Sequence, residues 1–269
     1  MSDGGFSADW LALREPVDHA SINANLRRAL CDRFALHQSV RIVDLGAGTG
    51  SNYRGLAPDL TAAGVSTQAW QLTDIDAGLL NIAASTPPRV GTTVETTTLN
   101  LMTAPLDDMF AAADLITSAA FFDIAPAVLI DRVADACAAT GAVFYTVLTY
   151  NGEANWQPDH RANAAMRAAF NRHQLGNKGM GGALGPDASD ALETAFLARG
   201  YAVHRAQSPW HVGPEFHDMR IALDTGWAGA VRETGDVDEA VVADWLVARQ
   251  SKDAVSIVGH DDLLAVPMA

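Results

Sequence analysis

The stretch Arg41-Ile42-Val43-Asp44-Leu45-Gly46-Ala47-Gly48-Thr49-Gly50 constrains the fold more than any other part of the chain. A short apolar run reads as a buried strand, and three glycines at alternate positions then carry it into a helical stretch. Glycine lets the backbone turn tightly and lets a ligand approach where a Cβ would intrude. The dinucleotide fingerprint needs its third glycine one residue later, where this chain has Ser51, so a nicotinamide or flavin cofactor is disfavoured.

Around this loop, β-like runs at 41–45, 69–73, 92–99, 114–118 and 142–149 alternate with helical stretches, the pattern of a parallel sheet wrapped by helices. Before the loop, Ile22, Leu26, Leu30 and Phe34 recur every fourth residue and predict one amphipathic helix over 16–34, part of a helical cap over 1–38. After the fourth strand, Pro126 opens a helix whose stripe is Leu129, Ile130, Val133 and Cys137 and which Gly141 ends. From 150 to 185 the rhythm breaks into a polar segment with one helix at 160–174, an insertion or lid at a strand's C-terminal end. A helix at 187–199, a strand at 201–207, two further helices and a last strand at 254–258 complete a single domain over 1–269. Asp236 and Glu239 stand in capping-box spacing at the start of the second of those helices, which is expected to bury Val237, Val241, Trp245 and Leu246.

With 18 Lys plus Arg against 32 Asp plus Glu, the net charge of −14 repels a phosphate backbone, which argues against a nucleic-acid partner. Cys31 and Cys137 are too few for a disulfide framework, no basic start with an apolar run marks a signal peptide, and no apolar stretch is long enough to span a bilayer. These features predict a soluble, cytoplasmic protein without a membrane partner. They leave the oligomeric state open.

Asp44 stands two residues before the first glycine, and with that spacing the loop resembles motif I of the class I S-adenosylmethionine-dependent methyltransferases, acid-x-Gly-x-Gly-x-Gly. The resemblance extends over about 44–148 and implies an α/β, Rossmann-like, mostly parallel seven-stranded sheet with helices on both faces and an antiparallel last strand. It implies S-adenosyl-L-methionine as cofactor, cradled by Asp44, Gly46, Ala47, Gly48 and Gly50. In Leu72-Thr73-Asp74-Ile75-Asp76, Asp74 takes the ribose hydroxyls beside Ile75, and Asp76 either shares that role or caps the following helix. At the third strand's end, Asn100 and Leu101 stand where the family receives the adenine; Asn100 replaces the usual acid and can still accept and donate, or is an ordinary turn residue.

Methyl transfer asks mainly that an acceptor be held in line, so a strong base is optional. Ser118 and Asp123 close the fourth strand, where related enzymes place residues beside the methyl; Asp123 either orients or deprotonates the acceptor or caps the helix after it. An Asn-Pro-Pro-aromatic box is absent from that position, and neither cysteine is placed as a base-methylating nucleophile. His204, His211 and His217 lack metal-ligand spacing, so no metal is expected. His260-Asp261-Asp262 falls at the end of the last strand, which the resemblance puts on the face opposite the cofactor, and reads as structural.

The insertion holds the acceptor candidates. Arg161, Arg167, Arg172 and Lys178 oppose Glu153 and Asp159, a local reversal of the overall charge that reads either as a solvated helix face or as a site for an anionic small molecule. On the second reading Trp156, Arg167, Asn171 and Lys178 bind the acceptor, and Tyr150 and His173 join Asp123 in handling protons. The alternative to an enzyme is a non-catalytic S-adenosylmethionine-binding or protein-interaction module.

Overall fold

Val40, Ile42, Val43 and Leu45 are all buried, and a strand buried on both faces belongs at the centre of a sheet. In the computed structural model, which describes residues 6–268, this strand, β1 (Ser39–Leu45), lies between parallel neighbours β2 (Thr67–Asp74) and β4 (Leu115–Ala119). β3 (Thr92–Thr98) lies beyond β2 and β5 (Val143–Gln157) beyond β4, also parallel. The antiparallel β8 (Val255–Pro267) then separates β5 from β6 (Tyr201–Gln207), giving the order β3-β2-β1-β4-β5-β8-β6. The strand rhythm's parallel sheet wrapped by helices is thus present, in the Rossmann-like α/β form with antiparallel last strand that the resemblance implies, and a short eighth strand, β7 (Trp210–Val212), is added beside β8.

Helices cover both faces. One apolar layer includes Leu30, Phe34, Leu56, Leu60 and Trp70, and carries α1 (Ala8–Ser21), α2 (Ala24–Phe34), α3 (Ser51–Ala62) and α4 (Ala77–Ser85). The other includes Phe110, Ile130, Val133, Phe144 and Phe196, from α5 (Leu106–Phe110), α6 (Ala127–Thr140), β5 and α8 (Ala188–Leu197). Among the described residues no helix is long and apolar enough to cross a membrane.

Four sequence expectations are corrected. The single helix over 16–34 is two, because Asn23 Oδ1 accepts the amides of Asn25 (3.1 Å) and Leu26 (3.2 Å) and starts α2 afresh, leaving Pro16 inside α1. β5 does not stop at Thr149 but bends through two irregularities and continues to Gln157, paired with the first half of β8. α7 (Asn163–Gln174) therefore packs on α9 (His217–Thr234), with Phe170 stacked on Trp227 at 3.7 Å between ring centroids, rather than overhanging the sheet. The capping box before α10 (Glu239–Arg249) does not form: Asp236 pairs with Arg172, Glu239 with Arg232, and Val242 and Trp245 are the buried apolar residues.

The fourth correction concerns β8, which continues through the buried Leu263, Leu264 and Ala265, so that His260-Asp261-Asp262 lies in mid-strand instead of at an end. Asp262, fully buried, accepts the Leu148 amide (2.8 Å), the Ser208 hydroxyl (2.6 Å) and the Asn23 amide (2.7 Å). One carboxylate thus joins the α1–α2 junction, the bend of β5 and the turn after β6. We expect Asp262→Ala to lower the unfolding free energy by about 2–4 kcal/mol, since it leaves buried donors without an acceptor; urea titration checks this, and a wild-type midpoint would show the knot to be dispensable.

Candidate functional site

The C-terminal ends of β1, β2 and β4 lie level, with Leu45 opposite both Thr73 and Ser118, and chain connections leave them in different directions. A crevice opens at such a switch point. Here it is a cavity of about 670 Å³, within the size range of small-molecule sites. The loop 46–49, residues 74–79 after β2 and residues 99–101 after β3 line it on one side. Ala119 at the end of β4, Ala120, Phe121 and Ile124 after it and Leu148 of β5 line the other, beneath Leu11, Arg14, Asp18 and His19 of α1 and Ile22 just past its end.

The loop's shape is imposed by hydrogen bonds from β2. Ala47 N donates to Thr73 O at 2.9 Å, Gly48 N to Asp74 Oδ2 at 2.8 Å, and Asp76 N to Asp74 Oδ1 at 2.9 Å. Gly46 and Gly48 have φ of +63° and +53°; a Cβ at Gly46 would meet the Phe121 ring at 2.5 Å, and one at Gly48 the Leu11 side chain at 3.2 Å. Gly50, φ +81°, starts α3 without lining the cavity. Asp76 caps α4 through the amides of Gly78 and Leu79 and also lines the cavity beside the exposed Ile75. Asn100 forms the turn its residue type favours, Oδ1 accepting the Met102 amide at 2.9 Å, while it and Leu101 line the cavity.

Asp44 lies fully buried under this loop. Its Oδ1 accepts from Asn52 Nδ2 at 2.8 Å, and its Oδ2 has no partner among the described residues. Burial raises its pKa to about 7, the Asn52 bond opposing and the charge of Asp74 adding. Asn52, which also donates to Thr117 Oγ1 at 3.1 Å, was not singled out from sequence; a polar residue one place into the helix after the loop is the signal that marks it. Ser118 is corrected: it is fully buried and donates to Leu45 O at 2.8 Å, bracing β4 against β1 outside the cavity.

Asp123 does not cap α6, whose N-cap is Pro126. It sits in a single 3-10 turn, Phe122–Ile124, with Oδ1 unpartnered. Burial raises it to about 6, against the pull of its own backbone amide and of the nearby Arg14 and Lys178 charges.

The remaining acceptor-side expectations divide sharply. Lys178 lines the cavity with Gly179 and Met180. Trp156, Arg167, Asn171, Tyr150 and His173 do not, because the extension of β5 draws them into the sheet and its helical cover. Trp156 packs edge-on against Trp227 and Trp245. Arg167 reaches outward to Glu153 at 3.1 Å. Tyr150, whose hydroxyl burial holds well above its ordinary pKa, donates to Asn171 Oδ1 at 2.6 Å. His173 lies between Glu233 (3.0 Å) and Lys178 (3.1 Å).

In their place α1 contributes side chains that sequence reasoning missed. Arg14 bonds Asp18 at 2.7 Å and lies over the Trp210 ring, Cζ 5.2 Å from its centroid. His19 Nε2 lies 3.0 Å from Ser51 O and 3.1 Å from its hydroxyl. The signal was present as a stripe, Leu11, Arg14, Asp18 and Ile22, that mixes apolar and charged residues on one helical face. His260 packs against Trp210, 4.6 Å between centroids, and burial lowers its pKa to about 3, so it stays neutral. Among the described residues no three His, Cys, Asp or Glu side chains gather as metal ligands would.

No protein-family model matches the chain, and no curated protein matches it in sequence. Solved structures do match. The cyclopropane-fatty-acyl-phospholipid synthase-like protein from Lactobacillus casei ATCC 334 superposes with a TM-score of 0.53 at 14% identity, over 97% of this chain and 94% of that one. For the YcgJ protein from Bacillus subtilis the TM-score is 0.50 at 12% identity, over 91% and 99%. A SAM-dependent methyltransferase from Geobacter sulfurreducens in complex with S-adenosyl-L-homocysteine superposes more loosely, TM-score 0.44 at 14% identity over 97% and 99%. At these identities the likeness is one of fold.

Because Asp44 binds its proton more tightly folded than unfolded, its contribution to stability is complete below the ordinary carboxylate range and is lost as pH rises through about 7. Asp44→Asn removes that loss. Urea unfolding of the ligand-free protein should show the variant gaining on wild type by about 2–3 kcal/mol between roughly pH 5 and pH 8. An unchanged difference would mean that Asp44 is hydrated.

Proposed function

We propose that this chain is an S-adenosylmethionine-dependent methyltransferase that binds its cofactor in the cavity over β1 and β2 and methylates a small molecule held over β4 and β5. One observation carries the reading: a fully buried carboxylate oxygen, Asp44 Oδ2, has no partner and belongs to a residue lining the same cavity as the Asp74 carboxylate and the glycine loop. A buried acceptor left unmet costs free energy until a donor arrives, and an ammonium group is such a donor. Each Asp74 oxygen already holds one backbone amide and keeps a further lone pair for a hydroxyl, which suits a ribose. The glycine loop leaves space that a Cβ would fill. The residues present therefore fit the cofactor.

When bound, S-adenosylmethionine supplies a methyl group already activated on a sulfonium. The chain's own task is then to position the acceptor and exclude water. α1 roofs the cavity, clasped by Arg54 to Glu15 at 2.5 Å and by His19 to Ser51, which shields the reacting atoms. With a pKa near 6, Asp123 is mostly ionised at neutral pH; it does not itself line the cavity but lies in the chain between Phe121 and Ile124, which do, and we assign to its free Oδ1 the proton that an O–H or N–H acceptor gives up. The overall charge of −14 favours a small molecule over a nucleic acid.

Calorimetry with S-adenosylmethionine and S-adenosylhomocysteine tests the cofactor, and a metabolite screen for S-adenosylhomocysteine production tests turnover. Asp74→Ala should weaken binding by roughly 10- to 150-fold, through lost hydroxyl bonds and a loosened Gly48 amide. Wild-type affinity in that variant would refute the ribose assignment. Once an acceptor is found, Asp123→Asn should cut kcat by about 100-fold or more and abolish the acid limb of the pH profile near pH 6; an unaltered profile assigns the proton elsewhere. Binding without turnover on any acceptor would make the chain a cofactor-binding module.

A further inference from the structure

We propose that the acceptor is anionic, its carboxylate or phosphate held in the part of the cavity over β4 and β5 by the guanidinium of Arg14 and the ammonium of Lys178. Calling the ligand an acceptor rests on the methyl-transfer reading; the anion site rests on the side chains alone.

In a chain of net charge −14, Arg14 and Lys178 are the Arg and Lys side chains that line the cavity. Arg14 is only 8% exposed. Its Nε is committed to Asp18, its Cζ lies over the Trp210 ring, and no acceptor among the described residues takes its two amino groups. A guanidinium carries five donors in a rigid fork, so the Asp18 bond leaves a pair free for the cavity, arranged as a two-oxygen anion requires. Burial lowers the pKa of Lys178, and its Nζ lies 3.1 Å from His173 Nδ1, leaving further donors unassigned.

Both cations line the same cavity as Ala119, Ala120 and Phe121 at the β4 end, and the charge of each favours the ionised form of Asp123 in the turn that follows. An anion anchored there sits beside the carboxylate proposed to take the acceptor's proton. Arg167, by contrast, is turned to Glu153 on the outer surface, so the positive charge of the insertion enters the cavity only at Lys178. Asp18 is the opposing element: its Oδ1 is buried and unpartnered, and its charge offsets part of that on Arg14.

The test is calorimetric titration of inorganic phosphate and of acetate, with and without saturating S-adenosylhomocysteine. Wild type should bind one of them saturably, the stronger identifying the group. Arg14→Gln should weaken that binding at least about tenfold and Lys178→Gln about threefold or more. Asp18→Asn should tighten it at least about twofold, and Arg161→Gln, an exposed arginine of the same insertion, should leave it unchanged. If Arg14→Gln unfolds by stranding Asp18, the double variant Arg14→Gln/Asp18→Asn takes its place. No saturable anion binding by wild type, or wild-type binding in both Arg14→Gln and Lys178→Gln, overturns the proposal. Failure to bind S-adenosylhomocysteine together with Arg14-dependent anion binding would sink the cofactor reading and leave the anion site standing.

Discussion

The carboxylate of Asp74 holds the site together. Its two oxygens accept the amides of Gly48 and Asp76, so the loop leaving β1 and the turn leaving β2 take their shapes from one side chain. Parallel strands bring their C-terminal ends level without prescribing what the connections do; here a charged acceptor at the end of one strand orients the backbone at the end of the next. Strands, loop and helix α3 then present amides, a buried Asp44 and small residues to a common space. The same bonds keep Asp74 extended toward the cavity, fixed before any ligand arrives.

Set against this order is a concentration of unfavourable burial. Asp44, Asp123 and Asp18 are carboxyls taken from water, each with an oxygen lacking a partner and each with its pKa raised chiefly by desolvation. The sheet and its two apolar layers offset that cost. Asp262 is equally buried yet fully engaged, which separates a polar group that builds the fold from Asp44 and Asp18, which line the cavity, and from Asp123 in the turn beside it.

What could be read from the sequence was what local backbone geometry or a continuous apolar run demands. Gly46 and Gly48 announce a turn closed to other residues, and β1 and β4 announce buried strands through the short apolar runs Ile42-Val43 and Leu115-Ile116. The continuation of β8 past Val258 escaped detection because His260-Asp261-Asp262 interrupts its apolar run, and the partners that make those residues acceptable come from the start of α2, from β5 and from the turn after β6. Arg14 escaped for the same reason, its neighbour Trp210 lying near the other end of the chain. Counting charges in the insertion singled out Arg167, but a count does not know which face a helix turns inward; the continuation of β5 decides that, and it turns Arg167 out and Lys178 in.

Ala120, just past β4, and Leu148, at the bend of β5, have φ of +50° and +58°, a conformation that L side chains adopt at a cost of about 1–2 kcal/mol. Hydrogen bonds hold them there: Ala120 N to Val147 O at 2.9 Å and Leu148 N to Asp262. A β-branched side chain at either place would add crowding to a backbone already bent the wrong way. The evolutionary latitude of the pocket is therefore uneven. Its walls, such as Phe121, Ile124 and Met180, can drift toward new acceptors one side chain at a time, whereas positions 120 and 148 are tied to a bend that only a narrow choice of residues can occupy.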